Sequence, residues 1–209
     1  MPRFGALAIL LFSLNTHASV SILRFEDVYA PPGPAPCFTT AGTGFTEAGY
    51  TISRLTENFF VCNGSADLRG FNSNGTDAFQ SREFRLSRTD RQPFSLVELE
   101  LGESRLDPTG EAIYVDLFGQ QVDGGSVSTR LTLDLFTSRN PLISGFEVFT
   151  LPSEFTNLVS VTFIGSPISP TSPGSFFSDN IKLRVVPVPA GVWLFASGLV
   201  LLIRIRRMG

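Results

Sequence analysis

Apolar and polar residues alternate along much of this chain. In Val97-Glu98-Leu99-Glu100-Leu101 a period of two sets Val97, Leu99 and Leu101 on one face and the glutamates on the other, the pattern of a half-buried strand. The pattern returns in Ile113-Tyr114-Val115-Asp116-Leu117. It returns again over residues 127–135, where Leu131, Leu133 and Leu135 are expected inside and Arg130, Thr132 and Asp134 outside. Between these two runs lies Asp123-Gly124-Gly125, which supplies the positive-φ residues of a tight turn, so the pair is predicted to form a hairpin. Val159, Val161 and Phe163 make a further inward row, and Ile181, Leu183 and Val185 a last one. No segment keeps a long helical period.

Short strands separated by Gly, Pro, Asn and Asp indicate an all-β fold, and the phenylalanines indicate how it is filled. Residues 19–186 hold 17 of the 20 phenylalanines, enough to fill the space between two antiparallel sheets packed face to face, a β-sandwich. Phenylalanine at this density reads as core; Tyr29, Tyr50 and Tyr114, where exposed, would be better stacking platforms for a sugar. The Gly- and Pro-rich residues 30–36 and 167–174 read as extended surface segments.

Both ends of the chain depart from this pattern. Residues 1–18 carry one basic residue, Arg3, an apolar run from Phe4 to Leu14, and Thr16-His17-Ala18 ahead of a cleavage point, the build of a secretory signal peptide. Residues 185–203 are 19 uncharged positions, followed only by the charges of Arg204, Arg206 and Arg207. Pro187 and Pro189 resist helix, so a helix is expected from Ala190. From there 14 residues reach Ile203 and cover about 21 Å, less than a hydrocarbon core of about 30 Å. Snorkelling arginines and Ile205 extend the span, Trp193 suits the interface, and the arginines set that end on the cytoplasmic side. The expected organisation is a signal peptide over 1–18, an extracytoplasmic β-sandwich over 19–186, and a tail with a single transmembrane helix over 187–209.

The tail Val186-Pro187-Val188-Pro189-Ala190, then Trp193-Leu194-Phe195, then Arg204, Arg206 and Arg207, resembles the PEP-CTERM sorting tail in its Val-Pro-x-Pro-Ala variant. The resemblance implies secretion by an exopolysaccharide-producing Gram-negative bacterium and retention at the inner membrane. It also implies processing near the proline motif by an exosortase, a membrane-embedded cysteine peptidase, with release to the cell surface or beyond. Val188 departs from the Glu that commonly separates the prolines. The resemblance covers about 24 of the 209 residues and concerns destination, not the work of the domain.

Charge and composition narrow that work. Removing Arg3, Arg204, Arg206 and Arg207 from the 16 basic residues leaves 12 against 19 acidic ones in residues 19–186, a net charge of −7. A domain of that sign is not expected to bind nucleic acid, whose phosphates need Lys and Arg. The one histidine, His17, falls within the signal peptide, which removes His-activated nucleophiles, His-ligated zinc and imidazole acid–base catalysis from the domain. Cys37 and Cys62, an even pair in an exported chain, are expected to form one disulfide.

Phe25-Glu26-Asp27-Val28 and Phe177-Ser178-Asp179-Asn180-Ile181 resemble the first and last strands of secreted jelly-roll domains, many of which are similar to carbohydrate-binding modules. In that topology the two strands run side by side, which would gather Glu26, Asp27 and Asp179 around a structural calcium; otherwise these residues serve ordinary strand-end hydrogen bonding. No other cofactor is expected. The oxygen-rich stretch 67–77 reads as a turn, without the spacing of a calcium loop. The expected role is that of a structural or adhesive protein of the extracellular matrix, with no enzymatic activity. The alternative is a module that binds an extracellular polysaccharide, and a glycosidase built on paired carboxylates ranks behind both.

Overall fold

Side chains that alternate in and out need a pleated backbone, and strands form where the sequence supplies that alternation. In chain order they are β1 (Val20–Leu23), β2 (Cys37–Thr39), β3 (Gly44–Glu47), β4 (Tyr50–Arg54) and β5 (Phe60–Cys62). Next come β6 (Ala78–Ser81), β7 (Glu83–Arg88), β8 (Phe94–Glu103), β9 (Tyr114–Gln121) and β10 (Ser126–Thr132). The last are β11 (Phe146–Thr150), β12 (Leu158–Gly165), β13 (Pro167–Ser169), β14 (Ser172–Pro173) and β15 (Phe176–Val185). This computed structural model describes residues 19–26, 37–39, 44–55, 60–62, 76–103, 112–137, 144–169 and 172–186. The expected signal peptide and transmembrane helix lie outside the described residues, among which no helix is long and apolar enough to cross a membrane. Ser19–Val186 forms one compact unit.

Every pairing is antiparallel, and thirteen of the described strands join one curled network. One part runs β10-β9-β12-β7-β4-β3. In the other, β15 pairs with β8 along one edge; along its other edge it holds β6 by its first half and β1 by its second. β8 carries β11 on its far side, and β6 leads outward to β5 and β2. The two parts meet in a single bridge, Leu158 to Phe94. Buried rows from both fill one core: Ile52, Phe84, Leu86, Val161 and Phe163 from the first, Leu99, Leu101, Phe176, Ile181 and Leu183 from the second. Aromatic rings interlock at its centre. Phe84 stacks on Phe163 at 4.3 Å and meets Phe79 edge-on at 5.0 Å, and Phe79 stacks in turn on Phe25.

The predicted β9–β10 hairpin forms, with Gly124 at φ 88° in its turn and Gln121 and Gly125 bonded across it. Bulges move several side chains from their expected places. Opposite β15 the register steps from Glu98–Lys182 to Leu96–Leu183, so Val97 is an extra residue on β8; it is only half buried, and Leu96 takes its place inside. Val159 is likewise extra on β12, where Leu158 is buried in its stead. Leu135 falls beyond the end of β10, adopts φ 63° and is exposed. Residues 167–173, expected to be a loop, contain the small β13–β14 ladder. A Cβ at Gly165, where the chain enters that ladder, would lie 2.1 Å from the Gly174 carbonyl oxygen, so only glycine permits the approach.

Candidate functional site

The outer face of β10-β9-β12-β7-β4 collects the residues that alternation turns away from the core. One row runs Ser128, Phe118, Thr162, Arg85, Ser53, and the next Ser126, Gln120, Ser160, Ser87, Thr51. The face is therefore rich in hydroxyl groups, with Phe118 as its exposed ring. A shallow hollow of about 310 Å³ is lined by Arg85, Phe118, Gln120, Ser126, Ser160 and Thr162. At one end Arg130 makes a bidentate bond to Asp116, Nε to Oδ1 and Nη2 to Oδ2, both 2.7 Å, and lies 3.7 Å above the Tyr114 ring. Such a face offers hydrogen bonds and one apolar platform to a flat polar ligand, and nothing on it forms a nucleophile–base pair.

A second group lies where β8 ends and β11 begins, beside the segment that follows β10. Glu103, Asp134 and Glu147 each present a carboxylate oxygen within 4.8 Å of the others. Glu103 is 3 % exposed. Burial pushes its carboxyl up to about 7, the amides of Glu103 and Leu135 pull against that rise, and the charges of Asp134 and Glu147 add to it. Neither amide reaches a carboxylate oxygen with the geometry of a hydrogen bond. Burial likewise raises Glu147, opposed by the amide of Asp134.

The residues singled out from the sequence are distributed differently. Glu26 lines a hollow of about 480 Å³ with Ile22, Arg24, Glu47 and Ala48. Asp179 is buried and accepts hydrogen bonds from Thr76 Oγ1 and the Asn180 amide, both 2.7 Å. Asp27 lies outside the described residues. β15 does have a first strand beside it, but that strand is β1, Val20–Leu23, paired from Val20–Arg184 to Leu23–Ile181; Phe25, at φ 59°, and Glu26 lie past its end in a turn, not in the strand that the jelly-roll resemblance implies for Phe25-Glu26-Asp27-Val28. Cys62 is disulfide-bonded, and the β2–β5 register sets Cys37 opposite it. Among the sorting residues only Val186 is described; Pro187, Val188, Pro189, Ala190, Arg204, Arg206 and Arg207 are not.

Tyr50, expected as a platform, is buried at 2 % exposure against Phe94, Tyr29 lies outside the described residues, and the Tyr114 ring is covered by Arg130. The exposed ring on this face is Phe118, and alternation within β9 carries the signal for it: Tyr114, Asp116, Phe118 and Gln120 share a face opposite Val115 and Leu117. No signal of that kind marked Glu103, because its strand sets Leu101, Gly102 and Glu103 inside in succession. Compared with known proteins, the chain matches no family model and no curated protein.

Proposed function

We propose that this chain is an exported structural protein of the cell surface or extracellular matrix, sorted by an exosortase through its C-terminal tail. Residues 19–186 are the working domain, a β-sandwich of jelly-roll type stapled by a Cys37–Cys62 disulfide. Residues 1–18 are its signal peptide, and residues 187–209 hold it in the inner membrane by one helix until processing. The observation that carries the reading is the order of parts in the tail: the Val-Pro-Val-Pro-Ala motif at 186–190, a short apolar span, then Arg204, Arg206 and Arg207. A structural role rather than catalysis is supported by a domain without histidine and by a core into which the aromatic residues are drawn.

The test replaces Pro187 and Pro189, or removes the three arginines, and follows mass and fractionation in the native host. The parent chain is expected to lose both termini and leave the inner membrane, while the variants stay there at full length. Variants processed like the parent refute the sorting reading.

Binding of an extracellular polysaccharide is the second reading, favoured by the hydroxyl-rich face around Phe118. Phe118 is the apolar surface that this face offers a sugar ring, so Phe118→Ala should weaken glycan retention without unfolding the domain. A glycan array silent at high protein concentration counts against it.

A further inference from the structure

Glu103 is a buried carboxylate without a visible reason. It closes β8 between Gly102, which pairs with Phe146 of β11, and the start of β15, where Phe176 is its register partner. Neither of its oxygens has a hydrogen-bond partner among the described residues. A carboxylate removed from water and left unbonded is one of the costliest groups a fold can hold, and it persists where something satisfies it. The chain points two more carboxylates at the same place. Glu147 Oε1 accepts the Asp134 amide at 2.7 Å, and Asp134 Oδ1 accepts the Phe136 amide at 2.7 Å. These bonds tether both side chains through one oxygen each and leave the other oxygen of each available as a ligand. Three carboxylates within 4.8 Å of one another do not all stay charged unless a cation stands among them.

We propose that Glu103, Asp134 and Glu147 bind a calcium ion. All the donors are hard carboxylate oxygens, with no imidazole or thiolate in the cluster, a set that suits hard cations over zinc and copper. Mg²⁺ keeps several of its waters and is usually held by one or two carboxylates, whereas Ca²⁺ takes six to eight oxygens in a flexible shell, so three converging carboxylates suit the larger ion. Asp134 is exposed and Glu147 half buried, so one side of the ion faces solvent and water completes its shell. The ion joins the end of β8, the start of β11 and the segment after β10. The site is separate from Glu26 and Asp179.

The full chain, purified in mild detergent and stripped with EDTA, is titrated with CaCl₂ at pH 7.5 by calorimetry and melted with and without the ion. One Ca²⁺ per chain is expected, with a rise in Tm of about 5 to 10 °C at a hundredfold excess over Kd. Glu103→Gln, nearly isosteric, should weaken binding at least about tenfold, as expected for loss of a ligand, while Glu26→Gln leaves it unchanged. Should Glu103→Gln fail to fold, Glu147→Gln and Asp134→Asn, changes nearer the surface, give the same reading. No heat and no shift in Tm overturn the proposal. So does binding unaltered in the three cluster variants, or binding lost in Glu26→Gln instead. Equal binding of MgCl₂ overturns the choice of calcium.

Discussion

The interlocked rings at the centre of the core make a quantitative prediction at Phe84. Its side chain has no exposed surface, stacks on Phe163 at 4.3 Å with planes 10° apart, meets Phe79 edge-on at 5.0 Å and lies 6.1 Å from Phe176. β7 is flanked by β12 and β4, so the backbone around Phe84 has little room to collapse into a cavity. Phe84→Ala is therefore expected to cost about 3 to 5 kcal/mol, a large part of the 5 to 15 kcal/mol of a typical domain, and to lower Tm by about 10 °C. Phe84→Leu keeps most of the volume and loses mainly the ring pairing, so about 1 to 1.5 kcal/mol is expected. Phe118→Ala, on the exposed face, should stay within about 0.5 kcal/mol of the parent. Equilibrium urea unfolding followed by far-UV circular dichroism reads all three. A double-mutant cycle of Phe84 with Phe163 should return a coupling of about 0.5 to 1.5 kcal/mol. A Phe84→Ala cost below about 1.5 kcal/mol at unchanged m, or a Phe118→Ala cost as large as that of Phe84→Ala, refutes the assignment of one ring to the core and the other to the surface.

Two further changes test the packing from other directions. The Tyr50 hydroxyl is buried without a hydrogen-bond partner among the described residues, so Tyr50→Phe is expected to stabilise the fold by about 1 kcal/mol. Burial also raises the Tyr50 phenol above its ordinary 10.0, with the Arg88 charge opposing and the Asp90 charge adding to the rise. The unfolded chain then loses that proton first; the stability it confers is complete below about pH 10 and is lost as pH climbs through the raised value. Urea midpoints from pH 8 to 11 should fall less steeply in Tyr50→Phe, and parallel profiles contradict the burial. The Cys37–Cys62 bridge closes a loop worth about 3.5 kcal/mol in the chain-entropy model, so Cys62→Ser should lower stability by about 2 to 3.5 kcal/mol. The intact chain should weigh less than its reduced form by the hydrogens of both thiols, and an unchanged mass on reduction excludes the bridge.

Much of the β-structure was legible because alternation is a local property. Leu99, Leu101, Val115, Leu117, Leu131, Val161, Phe163, Ile181 and Leu183 are buried where a period of two sets them, and the Asp123-Gly124-Gly125 turn joins β9 to β10. The errors fall where a neighbouring strand overrides the pattern. Val97 and Val159 carry the right residue type in the right phase, but the register across β8–β15 and β12–β9 inserts one extra residue at each, and the next leucine turns inward instead. Nothing within five residues of either position announces a bulge, because the bulge is set by the pairing strand. Tyr50 misled for a related reason: a phenol is commonly half exposed, and its burial beneath Arg88 and against Phe94 depends on segments about 40 residues further along.

The carboxylates show why a candidate ion site is harder to read than a strand. The jelly-roll resemblance gathers Glu26, Asp27 and Asp179 through two short segments, but the strand that pairs with β15 ends at Leu23, before Glu26. Pairing of backbones fixes which residues are neighbours along the ladder, but a carboxylate reaches a shared point only if its side of the strand and its rotamer agree, and Asp179 turns toward Thr76 and Asn180. Glu103, Asp134 and Glu147 are separated by 31 and 13 positions and belong to three different segments. Their convergence needs the β8–β11 register, which sets Glu147 opposite Leu101, and the left-handed turn at Leu135, which ends the β10 alternation just as Asp134 arrives. Each of these is a tertiary event. What the sequence does contain is the anomaly of Glu103 itself, a charged residue that follows Leu101 and Gly102 in the inward phase of Leu99 and Leu101. The fold brings two further carboxylates to it, and the proposed calcium would give all three a common partner.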